Sequence, residues 1–155
     1  MQLRIVDLKS QNGGNPKNNN SETKLDNDFD IRINKTYINY SNFIDGNGVF
    51  ASEDINEGDI ICICPLLVLH KEITTNNILF DYVYQIDENN HALVFGSGSL
   101  FNHQNEPSVN YEYSESGKYM IYKALRNISK DEELTISYGD NWFNDRGLQE
   151  LQQKN

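Results

Sequence analysis

Cysteine, proline and positive charge are all scarce in this sequence, and each shortage narrows what the chain can be. There are two cysteines, Cys62 and Cys64, in 155 residues. One residue apart, they fall on the same face of a strand and are too close in sequence for an ordinary disulfide. Metal binding would need further ligands, and the only histidines are His70, His91 and His103. The pair therefore reads as two small apolar side chains on the inner face of a strand, with no metal site and nothing to imply an oxidising compartment. Lys and Arg total 13 against 23 Asp and Glu, a formal charge of −10. That balance argues against direct nucleic-acid binding, which rests on cations neutralising phosphates. A basic protein or peptide suits the sign better, although much of such an excess is ordinary solvated surface. Apolar runs of membrane length are missing, as is a signal-peptide pattern, so the expectation is a soluble intracellular protein with no membrane partner.

What is present is ordinary globular material: 37% hydrophobic and 11% aromatic residues, with nine tyrosines. A chain of this length forms one domain that buries roughly 70% of the surface its unfolded form would expose. Residues 1–30 are set apart. "MQLRIVDLKS" has the makings of a short strand, but the Asn-rich "QNGGNPKNNNSETKLDNDFD" has too little apolar surface to offset its ordering entropy and reads as a mobile linker. Organised structure is expected over 31–143, with a short tail, 144–155, after it.

Within that span "IRINKTYINY" alternates as a strand does. "DGNGVFASEDINEGDIICICPLLVLH" reads as strand, turn, strand, with Asn47-Gly48 and Glu57-Gly58 as turn points. "KEITTNNILFDYVYQI" is ambiguous between short helix and strand, and "HALVFG" is a strand. "VNYEYSESGKYMIYKAL" is a hairpin turning at Ser116-Gly117, and "ISKDEELTISYG" adds a turn and a strand. Sustained helical periodicity is missing, so the fold class is mainly β with little helix.

Three segments stand out. In "GNGVFAS", 46–52, two glycines flank a polar residue, which permits either a hairpin turn or a close backbone approach to a ligand. In "GSGSLFNHQNEPSVNY", 96–111, glycines precede an Asn-His pair and a proline. Asn and His commonly satisfy loops, and a lone His is more often structural than catalytic. In "EELTISYGDNW", 132–142, Tyr138 ends an apolar strand beside Gly139, either as a core tyrosine or with its hydroxyl in a cleft.

Taken in order, Gly-x-Gly-Val-Phe-Ala, then Gly-Ser-x-x-Asn-His-x-x-x-Pro, then Glu-Leu-Thr-Ile-Ser-Tyr-Gly resembles the SET domain family of protein lysine methyltransferases over about Ile31 to Trp142. The resemblance implies several small sheets around a knot-like core, in which Ile136 to Asp140 thread past Leu100 to Val109. It implies S-adenosyl-L-methionine as cofactor, held by Gly46, Asn47, Gly48, Val49, Asn102 and His103, with His103 acting largely through its backbone and Tyr138 reaching both cofactor and substrate. Tyr138 corresponds to the family's catalytic tyrosine. Tyr82, Tyr84, Tyr111, Ile136 and Trp142 are the candidates for the lining of a lysine channel, since a cationic side chain favours aromatic walls.

The implied function is methylation of a lysine on a basic protein such as a histone, with a homodimer compatible with so small an architecture. A SET-fold module that binds basic peptides with weak or no catalysis is the alternative. The pattern departs from the family in four ways. Gln104 stands where many members have Ser. Ser108 replaces an Asn whose amide helps close the knot, which lowers the expected cofactor affinity. Ile136 replaces the Phe or Tyr that influences methylation number. No cysteine-rich segment comes after Trp142 to supply a zinc-bound tail, leaving Trp142 and Phe143 either to cover that side of the channel or to form a surface or dimer contact.

Overall fold

The computed structural model describes residues 32–148; the strand and linker expected within 1–30 lie outside them. Nine strands run in the order β1 (Thr36–Ser41), β2 (Gly46–Ala51), β3 (Ile60–His70), β4 (Val83–Gln85), β5 (Asn90–Val94), β6 (Asn102–His103), β7 (Val109–Tyr113), β8 (Tyr119–Ala124) and β9 (Glu133–Ile136). Two single-turn helices, α1 (Lys71–Thr74) and α2 (Trp142–Asp145), and two 3₁₀ turns, Ile78–Tyr82 and Gly96–Ser99, complete the described residues. The ambiguous 71–86 stretch thus contains helix, 3₁₀ turn and strand in succession. The mainly β expectation holds.

The strands form two sheets, ordered β1-β2-β9-β6 and β4-β5-β3-β8-β7. The long strand β3 belongs to the second and changes partner midway: Ile60 to Pro65 pair with β8, and Leu66 to His70 with β5. Pro65 sits at the changeover, and its carbonyl accepts from Phe95 N–H at 2.9 Å. Cys62 and Cys64 are buried on this strand, as apolar inner-face residues should be. Between the sheets lies one core containing Val49, Phe101, Met120, Tyr122, Leu134 and Ile136. Phe101 stacks on Tyr122 with ring centroids 4.6 Å apart, an arrangement that adds about 1 kcal/mol beyond area burial.

The hairpin turns at Glu57-Gly58 and around Gly117 fall where the sequence places them, both glycines having positive φ. Asn47-Gly48 does not turn. Both residues are inside β2, paired with Tyr40 and Asn39, and the β1–β2 turn is made by residues 42–45, with Asp45 supplying the left-handed conformation at φ 55°. An Asp tolerates that conformation, so the glycine pair is left for a different task.

β6 and β9 form the one parallel pairing among the described strands, Asn102 opposite Thr135 and His103 opposite Ile136. Residues 101–108 clasp β9 and the segment leading to Tyr138. Gln104 N–H donates to Ile136 O at 3.0 Å, Thr135 N–H donates to Ser108 Oγ at 3.1 Å, and Thr135 Oγ1 donates to Gln104 Oε1 at 3.0 Å. Ser108 is fully buried. Its hydroxyl, shorter than an amide, reaches the Thr135 backbone directly, so the loop is closed at this position after all.

Candidate active site

Where that clasp tightens, the motif residues meet. Tyr138 lies two residues beyond β9, and three contacts fix it. Its backbone N–H donates to His103 Nδ1 at 3.0 Å, and its hydroxyl donates to the Phe101 carbonyl at 2.7 Å. Its ring packs on Trp142, with centroids 4.6 Å apart. Burial pushes the phenol up to about 12, so at neutral pH it is a fixed donor and not a base. The His103 ring also packs on Phe143, with centroids 5.0 Å apart. Expected to act mainly through its backbone, His103 therefore uses its side chain to hold the tyrosine's main chain.

On one side of Tyr138 is an aromatic cavity of about 500 Å³. Every channel residue expected from sequence, Tyr82, Tyr84, Tyr111, Ile136 and Trp142, lines it together with Tyr138. Tyr84 and Tyr111 meet edge to face with centroids 5.0 Å apart. The Tyr84 hydroxyl donates to the Gly98 carbonyl, and the buried Tyr122 hydroxyl lies 3.1 Å from both that carbonyl and Tyr84 Oη. A Cβ on Gly98 would stand 2.3 Å from Val94 Cγ1 and 2.9 Å from Tyr122 Oη, which is why glycine is required here. Burial raises the pKa of Tyr84 and Tyr111, leaving neutral hydroxyls and ring faces in the cavity wall, and it raises that of Tyr122 behind Tyr84 as well. Asp81, Glu88, Asp140 and Asp145 are also in its wall, against Lys71 and Arg146, and they give the mouth an acidic bias.

A second cluster forms within the β1-β2-β9-β6 sheet. The Asn102 amide donates to Glu133 Oε1 at 2.7 Å and to the Asn47 carbonyl at 3.2 Å, and Ser41 Oγ donates to Glu133 Oε2 at 2.8 Å. Gly48 faces this network; a Cβ there would come within 2.5 Å of Glu133 Oε1 and 3.1 Å of Asn102 Nδ2. Gly46 is at the start of the same strand, and Val49 turns its side chain wholly into the core, so only its backbone is available to a ligand. Asn47, Gly48, Asn102 and Glu133 thus converge, while the aromatic cavity is walled by other residues.

Glu133, Ser41, Phe80, Tyr122 and Arg146 were not singled out from the sequence. Glu133 is the first residue of the Glu-Leu-Thr-Ile-Ser-Tyr-Gly segment, which by itself gives it no role. The others are brought in by contacts between distant segments, and no local signal marks them. Among the described residues no group of three or more His, Cys, Asp or Glu is placed to hold a metal ion.

Comparison with known proteins agrees with this geometry. The SET domain family model matches residues 46–139, more than half of the chain. A histone-lysine N-methyltransferase of Schizosaccharomyces pombe, named as specific for H3 lysine-37, is 40% identical over 105 residues, covering 64% of this chain and 71% of that protein. The crystal structure of a candidate histone methyltransferase of Plasmodium falciparum superposes with a TM-score of 0.56 at 36% identity, over 70% of this chain and 96% of that one. In the Chaetomium thermophilum polycomb repressive complex 2, one chain superposes with a TM-score of 0.60 at 20% identity, over 70% of this chain but 16% of that one, a likeness of fold. The chain belongs to the SET domain family.

Proposed function

We propose that this protein transfers a methyl group from S-adenosylmethionine to the side-chain amine of a lysine on a basic protein, a histone tail being the favoured substrate. Lysine methylation is the activity of its family, and the chain is a protein-lysine methyltransferase. Cofactor, substrate and residue roles are the proposal. One observation carries it: Tyr138 lines the aromatic cavity and donates its hydroxyl to the carbonyl of Phe101, the residue immediately before Asn102. It is where the two sides of the site meet.

Asn47, Gly48, Asn102 and Glu133 offer a carbonyl, bare main chain, an amide and a carboxylate in one place. That donor and acceptor set fits an amino-acid end bearing an ammonium and a carboxylate, and the missing Cβ of Gly48 lets Glu133 and Asn102 meet against bare main chain. When bound there, S-adenosylmethionine supplies a sulfonium methyl, which a neutral amine takes with release of the thioether. The chain's own task is to deliver that amine. A free lysine has a pKa of ~10.4, and enclosure among Tyr84, Tyr111 and Tyr138 lowers it by desolvation, since the charged form loses its water. A separate general base is then unnecessary. The Tyr138 hydroxyl, fixed as a donor to Phe101, holds the amine's approach in line, and positioning of this kind supplies up to ~7–11 kcal/mol of a barrier. The acidic mouth, Asp81, Glu88, Asp140 and Asp145, attracts the basic residues that flank lysines in such a tail.

Incubation of the protein with labelled S-adenosylmethionine and a panel of histones and other basic proteins tests the reading. Label on a histone lysine is expected. A folded protein that binds the cofactor yet labels none of the panel overturns it.

A further inference from the structure

Arg146, immediately after α2, is a cation whose side chain is only 8% exposed. Its guanidinium lies between two rings, 3.9 Å from the centroid of Phe80 and 4.1 Å from that of Trp142. Each of its nitrogens also donates: Nε to Asp81 Oδ1 at 3.2 Å, Nη1 to the Trp142 carbonyl at 3.0 Å, and Nη2 to the Phe80 carbonyl. Two segments far apart in sequence are joined by this one side chain. Phe80 and Asp81 belong to the 3₁₀ turn Ile78–Tyr82, which also carries Tyr82. Trp142 opens α2 and packs on Tyr138. Phe80, Tyr82, Trp142 and Tyr138 all line the aromatic cavity.

We propose that Arg146 is a positioning residue for the methyl-transfer reaction: by clamping α2 to the 3₁₀ turn it fixes the aromatic wall at the cavity's mouth and so sets how tightly the substrate lysine is held. The inference rests on the cavity being the lysine channel. A planar guanidinium is suited to the task, because it can stack on two rings while its edge bonds carbonyls and a carboxylate, and a lysine at this position could not do both. The clamp's contacts are with Phe80, Asp81 and Trp142, whereas Asn102 and Glu133 are bonded to each other and to Asn47 and Ser41. Loss of the clamp should therefore weaken peptide binding and spare cofactor binding.

Trp142 is the sole tryptophan of the chain, so its fluorescence reports the clamp without reference to activity. In Arg146→Ala, emission shifts to the red, acrylamide quenching increases, and the KM for a histone peptide rises about tenfold while kcat falls by less and the calorimetric affinity for S-adenosylmethionine stays within about twofold. Arg146→Lys, which keeps the charge but not the plane, falls between this variant and wild type. If Arg146→Ala does not fold, Asp81→Ala removes one bond of the clamp and shows the same changes on a smaller scale. Unchanged Trp142 fluorescence overturns the clamp. A shifted fluorescence with unchanged peptide KM, or a parallel loss of cofactor affinity, overturns the positioning role. Absence of methyl transfer in the wild-type protein instead strikes at the functional reading, and the positioning role falls with it.

Discussion

The aromatic cavity and the Asn102–Glu133 cluster are built on opposite plans. The proposed channel side is a ready cavity walled by rings and hydroxyls, and it is sized by side chains: Tyr84, Tyr111, Tyr138 and the Trp142–Arg146 pair. The proposed cofactor side is sized by what is missing, a Cβ at Gly48, and is furnished by backbone carbonyls with one amide and one carboxylate. An ammonium that must lose a proton gains from the first, where desolvation favours the neutral amine. A zwitterionic amino-acid end gains from the second, where each charge finds a polar partner. Tyr138 lines the cavity, its ring packed on Trp142 and its hydroxyl bonded to the carbonyl of Phe101, one residue before Asn102.

The largest expected effect comes from the boundary itself. Tyr138→Phe removes a hydroxyl without emptying the ring's place, so methyl transfer should slow by about a hundredfold or more while calorimetric cofactor affinity stays nearly intact, the pattern of a contact used mainly in the transition state. Undiminished turnover would remove Tyr138 from the chemistry.

Gly48→Ala breaks the comparison on the cofactor side. Its Cβ would press on Glu133 Oε1 and Asn102 Nδ2. The carboxylate is the end of a flexible side chain and can move aside, so the fold should survive with a loss of about 1 kcal/mol, the net worth of one hydrogen bond. Affinity for S-adenosylmethionine, measured by calorimetry, should fall about tenfold or more. Equal affinity in this variant would mean that the glycine gap has no part in binding.

A smaller effect separates the sides by pH. With the substrate amine as the titrating group, log kcat/KM for peptide should climb with pH from 7 toward the amine's own value of ~10.4 or below. Tyr138, held protonated up to about 12, adds no break over that range. Its folded pKa exceeds the ordinary value of 10, so the stability it contributes is fully present below pH 10 and is lost as pH rises toward about 12. Urea unfolding at pH 9 and pH 11 should show stability falling only at the higher value.

Much of this was legible in the sequence, because the spacing of three motifs carries the resemblance and strand alternation carries the fold class. Tyr138, Tyr111, Ile136 and Trp142 fall within those motif segments, Tyr82 and Tyr84 are named only as aromatics suited to a cation, and all six line one cavity. The errors were local choices that depend on distant partners. Asn47-Gly48 has the chemistry of a turn, but Asp45 makes the turn, leaving Gly48 to face Glu133 and Asn102 from sequence positions far away. Ser108 reads as a lost amide in the sequence, yet its hydroxyl meets the Thr135 N–H, and with that the case for a weakened, merely binding module loses one of its supports. Arg146 lies in a tail with no motif, and only its position between Phe80 and Trp142 gives it meaning.

That the cofactor and the substrate occupy separate sides and meet only at Tyr138 is tested most directly by titrating the protein with S-adenosylhomocysteine, the thioether product, with and without a saturating histone peptide whose target lysine is replaced by methionine. Separate sides predict that both bind at once, with the affinity for S-adenosylhomocysteine unchanged or increased by the peptide. Competition between the two ligands would contradict the two-sided site.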